Sequence, residues 1–239
     1  MLQDGVNRGF VSGDQERTFK VILPAEPEGA PVVFAWHWLG GSAREIVSVM
    51  DLERWPTEYG FIVVAPDSSG EEDYEWDFLH GPTGNADSRF FDDLVACVDA
   101  TWHVDRDRLY ATGMSAGGLW TTWLTIYKAD VLSGTAPLSG GTDVYVSPSD
   151  PIPVLLTWGG ENDLYNGYSF QDATLTFAAG LEADGHFVAL CDHGNGHTIP
   201  PEATDYVPRF FADHPRGVDP EPYAGGLPAS FPEWCGLPE

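Results

Sequence analysis

The segment Arg108-Leu109-Tyr110-Ala111-Thr112-Gly113-Met114-Ser115-Ala116-Gly117-Gly118 passes from an apolar, strand-like run into a helix-like one, Leu119 to Tyr127, through a GxSxG turn. Only small neighbours let a chain reverse so sharply between a strand and a helix. A serine at the centre of such a turn is held strained, its hydroxyl standing above the carboxyl edge of a sheet. GxSxG alone arises often by chance in a glycine-rich chain. The strand before it and the helix after it carry the reading, and they mark Ser115 as a candidate nucleophile.

The flanking sequence alternates strand-like and helix-like patterns, as a mostly parallel sheet with covering helices demands. Arg17 to Leu23 alternates polar and apolar and reads as an early, half-exposed antiparallel strand. Pro31 to Trp36 and Phe61 to Ala65 are continuous apolar runs, expected of strands buried on both faces. Between them, Ile46, Val47, Met50 and Leu52 fall near helical spacing, so a helix is predicted over Ala43 to Trp55. Ser88 to Trp102 is the clearest amphipathic helix, with Phe91, Leu94, Val95 and Val98 on one stripe. Strands are expected at Thr135 to Leu138, Val154 to Trp158 and Phe187 to Leu190, and helices over Ala173 to Ala183 and Tyr206 to Phe211. The chain reads as one α/β domain over residues 1–239, a three-layer α/β/α sandwich, with an irregular tail over 215–239. The region from Asp67 to Asp87 reads as a long loop beyond a strand's carboxyl end, carrying Tyr74, Trp76, Phe78 and His80. Loops of that length in a compact domain are usually functional.

The 239 residues carry 37 acidic and 11 basic side chains, a formal net charge of -26. Nucleic acid and anionic lipid need cationic patches, so neither is an expected partner. No stretch approaches the roughly 20 apolar residues of a membrane span. Self-repulsion in so acidic a chain is relieved by salt, which predicts a saline setting and a melting temperature that rises with salt. Equal melting in low and high salt would remove that reading. The start, Met1-Leu2-Gln3-Asp4-Gly5, shows neither a basic nor an apolar export region. Of the cysteines Cys97, Cys191 and Cys235, the last two form the expected pair. Such a bond would fasten the tail, worth about 3 kcal/mol; three reduced thiols are the alternative.

A serine hydroxyl needs a histidine to take its proton, and that histidine needs a carboxylate to fix its tautomer. On this architecture the chain order is Ser, acid, His. The strand-like Val154 to Trp158 leads through Gly159-Gly160 to Glu161 and Asp163, of which Asp163 is the better placed. Past the next strand, His193 and His197 compete. His197 is preferred because Gly194 and Gly196 free its loop to reach the serine and Pro200 fixes the exit, whereas His193 suits local hydrogen bonding. The amides of Ala116 and Leu39, with Trp38 as the alternative to Leu39, would complete an oxyanion hole. His37 reads as a structural hydrogen-bonder. No metal or cofactor is called for.

His37 to Gly41, Arg108 to Gly118 and Gly196 to Pro200 together resemble the polyhydroxybutyrate depolymerase-like and feruloyl-esterase-like branch of the α/β-hydrolases. The resemblance spans roughly Arg17 to Phe211. It departs at Trp38, where the family usually has glycine. The resemblance implies an exported esterase acting on polyester oligomers or on hydroxycinnamoyl esters of plant polysaccharide. Trp38, Trp76, Phe78 and Trp158, with Tyr165, are expected to line an aromatic cleft suited to a neutral ester, and Trp120 and Trp123 to lie in the core. The expectation is a secreted, monomeric carboxylic-ester hydrolase on polyester or oligoester. A feruloyl or aryl esterase, or an aromatic polyester hydrolase, is the alternative. A peptidase of the same fold is disfavoured for want of a propeller or cap domain. A hydrolase-fold binding protein that has lost catalysis would need a broken triad.

Overall fold

The two apolar runs expected to be buried on both faces lie side by side in the interior of one sheet. In the computed structural model, which describes residues 2–238, the elements in chain order are β1 (Gly5–Ser12), β2 (Gln15–Ile22), β3 (Val32–Trp36), α1 (Ala43–Val49), α2 (Trp55–Tyr59) and β4 (Ile62–Pro66). After a long loop come α3 (Ala86–Trp102), β5 (Leu109–Met114), α4 (Ala116–Tyr127), β6 (Gly134–Leu138) and β7 (Val154–Trp158). A small hairpin of β8 (Leu164–Tyr165) and β9 (Tyr168–Ser169) precedes α5 (Phe170–Ala183), β10 (Val188–Asp192), α6 (Ala203–Asp213) and β11 (Cys235–Gly236).

The main sheet runs β1-β2-β4-β3-β5-β6-β7-β10-β11. From β4 to β10 all neighbours are parallel, while β1, β2 and β11 pair antiparallel at the edges. Every residue of β3 to β7 is buried. That burial explains the unbroken apolar sequences of β3 and β4, each Val or Phe contributing about 1.5–3 kcal/mol. Alternate side chains feed two cores. Val32, Phe34 and Trp36 meet α3, α4 and α5 on one face; Val33, Ala35 and Val63 meet α1, α2 and α6 on the other.

Three differences from the sequence reading have local causes. The helix expected over Ala43 to Trp55 is two short helices, because Asp51 takes a left-handed φ of 47° between them. The first of them is N-capped by Ser42, whose hydroxyl oxygen accepts from the Glu45 amide and whose O–H donates to the Glu45 carboxylate. The tail is not wholly irregular: β11 adds an edge strand to β10, and a Cys191–Cys235 disulfide crosses that pair. Cys97 is unpaired and half-buried. β1 was not anticipated, its glycines and charges hiding an edge strand whose register shifts between Asn7 and Phe10. Pro208 inside α6 offers no amide to the Thr204 carbonyl. The Trp55 indole N–H on α2 donates to that carbonyl instead, at 3.2 Å, and so joins α6 to α2. No helix among the described residues is long and apolar enough to cross a membrane.

Candidate active site

Ser115 stands between β5 and α4 with φ 58° and ψ -118°, a conformation that costs an L-residue energy and persists only where its surroundings impose it. The surroundings here are backbone. A Cβ on Gly117 would come within 2.0 Å of the Trp36 carbonyl oxygen. Bare backbone at that position lets α4 start hard against β3 and aims the serine out of the sheet edge. The Ser115 amide donates to the Leu138 carbonyl on β6 at 3.0 Å, and its own carbonyl accepts from Leu119 at 2.7 Å, fixing the turn from both sides.

Asp163, beyond the Gly160–Asn162 turn at the end of β7, and His197, beyond β10, reach the same point. His197 Nε2 lies 2.9 Å from Ser115 Oγ, and His197 Nδ1 lies 2.7 Å from Asp163 Oδ1. The two loops approach through backbone: the Gly196 amide donates to the Gly159 carbonyl at 2.8 Å, and a Cβ on Gly159 would meet the Gly196 oxygen at 1.9 Å. Asp163 is fully buried, and its Oδ2 accepts from Ser139 Oγ and from the Gly159 amide, both at 2.8 Å. Burial alone pushes the Asp163 carboxyl up. The bonds from His197, Gly159 and Ser139 outweigh it together and hold the group below the ordinary aspartate range. An ionised carboxylate is acceptor-only, so His197 carries its proton on Nδ1 and presents a lone pair on Nε2 to the serine. Phe170 stacks on the His197 ring at 4.5 Å between centroids.

The competing residues sit elsewhere. Glu161 is solvent-exposed. His193 donates its amide to the Trp158 carbonyl and accepts from Asn195 at Nδ1, a local role. His37 Nδ1 lies 2.8 Å from the Trp38 carbonyl, and its Nε2 accepts from the Ser68 amide, so it orders the turn after β3. The Trp38 carbonyl also accepts from Gly41. Its own trans peptide therefore directs the Leu39 N–H the opposite way. Ala116, first residue of α4, has an amide with no intrahelical acceptor.

Two cavities meet at Ser115. One, of about 590 Å³, lies over α4 and is walled by Leu119, Trp123, Ile126, Phe78 and Val144 among others. The second, of about 450 Å³, lies on the α1 side, between Trp38, Val49, Met114, His197 and Ile199. Leu39, Ser115 and Tyr165 border both. Phe78 lines the first of these cavities and Trp38 the second. Trp76 and Trp158, expected in the cleft, line neither. Trp76 is 1% exposed, packs its ring edge-on against Trp36 at 5.0 Å, and donates its indole N–H to the His37 carbonyl, making it core. Trp158 ends β7, paired with Asp192 of β10, buried and lining neither cavity. Trp120 is core as expected, but Trp123 forms part of the α4-side wall. Sequence reasoning passed over Ser139 and Phe170, which hold Asp163 and His197. Ser139 follows β6 in Leu138-Ser139-Gly140-Gly141, and a polar residue before glycines at a strand end was the available signal. Glu75, left-handed at φ 72°, accepts from the Gly40 amide at 3.0 Å and bonds the Ser68 hydroxyl, clipping the long loop to the turn after β3.

A sequence model of the prolyl oligopeptidase family matches residues 48–172. The oxidized polyvinyl alcohol hydrolase of Sphingopyxis sp. (strain 113P3) is 23% identical over 92% of this chain and 81% of its own. A probable feruloyl esterase C of Aspergillus terreus is 29% identical over 66% of this chain and 54% of its own. Poly(3-hydroxyalkanoate) depolymerase C of Paucimonas lemoignei is 27% identical over 52% and 31%. Among solved structures, native sOPH superposes with a TM-score of 0.80 at 21% identity, covering 99% of this chain and 95% of the other. That likeness is one of fold.

Proposed function

The chain belongs to the prolyl oligopeptidase family, among the α/β-hydrolases related to polyester and feruloyl esterases, and we propose that it is a secreted serine carboxylic-ester hydrolase. The observation that carries this reading is the unbroken chain of contacts from Ser115 through His197 to buried Asp163. In the proposed reaction, Ser115 Oγ attacks the ester carbonyl as His197 Nε2 takes its proton. The amides of Ala116 and Leu39 hold the oxyanion, each donor worth a factor of about 100–1,000 in turnover. His197 then protonates the departing alkoxide, leaving an acyl-enzyme on Ser115. Water enters on the His197 side, gives its proton to Nε2, and releases the acid as the serine regains its proton. Asp163 keeps the imidazole in the required tautomer and stabilises the imidazolium.

The substrate proposed is a polyester or oligoester such as hydroxybutyrate oligomers, supported by an aromatic cleft and by the depolymerase relative. Likeness to oxidized polyvinyl alcohol hydrolases along most of the chain favours a second reading, a carbonyl-bearing synthetic polymer met by the same serine. The Cys191–Cys235 bond supports an oxidising, extracellular setting, and the acidic surface a saline one. The test is Ser115→Ala, which is expected to lower hydrolysis of a short p-nitrophenyl ester by a factor on the order of 10⁴–10⁶. Near-normal hydrolysis by that variant would contradict the reading.

A further inference from the structure

The two cavities at Ser115 lie on opposite faces of the sheet, one over α4 and one beside α1, with Leu39, Ser115 and Tyr165 forming the saddle between them. Each alone falls in the range of about 300–1,000 Å³ that buries a drug-sized ligand. A small ester needs one of them. His197, which must hand its proton to the leaving oxygen, stands in the wall of the α1-side cavity. The alcohol portion therefore departs on that side, and the acyl portion remains over α4, where Ala116 and Leu39 both contribute.

Charge then restricts what can fill both arms. No lysine or arginine lines either cavity among the described residues, and the α4 arm carries Asp143. His80 at its rim is already bound through Nδ1 to Asp77 at 2.6 Å. A chain-end carboxylate would find no dedicated cation and a net charge of -26 around it. The rim is apolar instead: Tyr74, Leu79, Val144, Tyr165 and Val49, all exposed, stand around the two mouths. Exposed apolar side chains gathered at one site, on a surface otherwise rich in carboxylates, mark a contact with something uncharged.

We propose that the enzyme cleaves interior bonds of an extended, uncharged polyester chain, with the acyl run seated over α4 and the leaving run between Trp38 and Ile199. This rests on the serine-esterase reading above. The test uses a hydroxybutyrate hexamer capped as acetyl and methyl ester, so that neither end is charged, with products read by mass spectrometry at low conversion. Interior cuts giving dimer-to-tetramer fragments first are expected; release of one unit at a time from an end overturns the proposal. Two variants assign the arms. Leu119→Trp is expected to reduce kcat/KM at least 10-fold for octanoyl relative to acetyl esters. Val49→Trp is expected to do the same for octyl relative to methyl alcohols, each leaving the other ratio within about 2-fold. If Leu119→Trp does not fold, Val144→Trp at the exposed rim reads the same arm. Both variants moving the same ratio, or neither moving any, overturns the assignment. Serine labelling by a fluorophosphonate separates the levels. Labelled enzyme that cuts only chain ends, or only p-nitrophenyl esters, refutes this inference and leaves the esterase reading standing; unlabelled, inactive enzyme refutes both.

Discussion

The strand ends that carry Ser115, Asp163 and His197 and the loop from Asp67 to Asn85 face the same cleft but are built in opposite ways. At the strand ends, backbone touches backbone: Gly117 lies against the Trp36 carbonyl and Gly159 against the Gly196 carbonyl, so the side chains they present have little freedom. In the loop, side chains do the holding. Trp76 drops into the core, Glu75 clips to Gly40, and Phe78, two residues on, faces the cavity. A site made of close backbone approaches writes itself into glycines and strand ends. A loop held by side-chain packing leaves no comparable periodic mark.

The comparison breaks first at Asp163. Asp163→Asn is expected to lower kcat by a factor on the order of 10⁴, through loss of the correct His197 tautomer. The same substitution has a signature in stability. Because the folded carboxyl lies below its ordinary value of 3.8, its contribution is present above that value and is lost as pH falls through the lower folded one. The stability gap between wild type and Asp163→Asn, read from urea unfolding, should therefore be widest near neutrality and shrink below about pH 4. A pH-independent gap would show that the carboxylate's bonds do not outweigh its burial.

Within the loop, neighbouring aromatics should part company. Trp76→Ala is expected to cost about 3–5 kcal/mol of stability, as for a fully buried tryptophan. Phe78→Ala should cost under about 1.5 kcal/mol and act on KM for aryl esters instead. Equal destabilisation by the two would erase the distinction drawn between core and cleft. A change confined to turnover is expected at Glu75, which touches no substrate. Glu75→Ala removes a charged acceptor worth about 1.5–3 kcal/mol from the turn that presents Leu39. A fall in kcat of about 10-fold with KM little changed should follow. Glu75→Gln keeps an acceptor and should recover much of the rate; a purely structural role would not give that rescue with kcat alone.

Much of this architecture is legible in the sequence. The buried strands β3 and β4 announce themselves as continuous apolar runs, and the order Ser115, Asp163, His197 follows from one strand end to the next. The α/β-hydrolase fold expected from these features is the one found. What escaped reading has physical reasons. β1 is an edge strand with one face in solvent and a shifted register, so its pattern is weak. The break at Asp51 depends on a left-handed residue that no glycine signalled. The sequence places Trp76 and Trp158 in the cleft because a tryptophan's chemistry is the same inside and out. Only the position of Trp36 and the His37 carbonyl shows that Trp76 has a packing partner and a hydrogen-bond acceptor in the core.

The central claim is that Ser115 is acylated through His197. Stopped-flow mixing with p-nitrophenyl butyrate, followed by acid quench, intact-mass measurement and peptide mapping, tests it most directly. The account predicts one butyryl group per chain, located on the peptide containing Ser115 and absent in Ser115→Ala. Turnover of the ester with no acyl adduct, or an adduct that persists in Ser115→Ala, would contradict it.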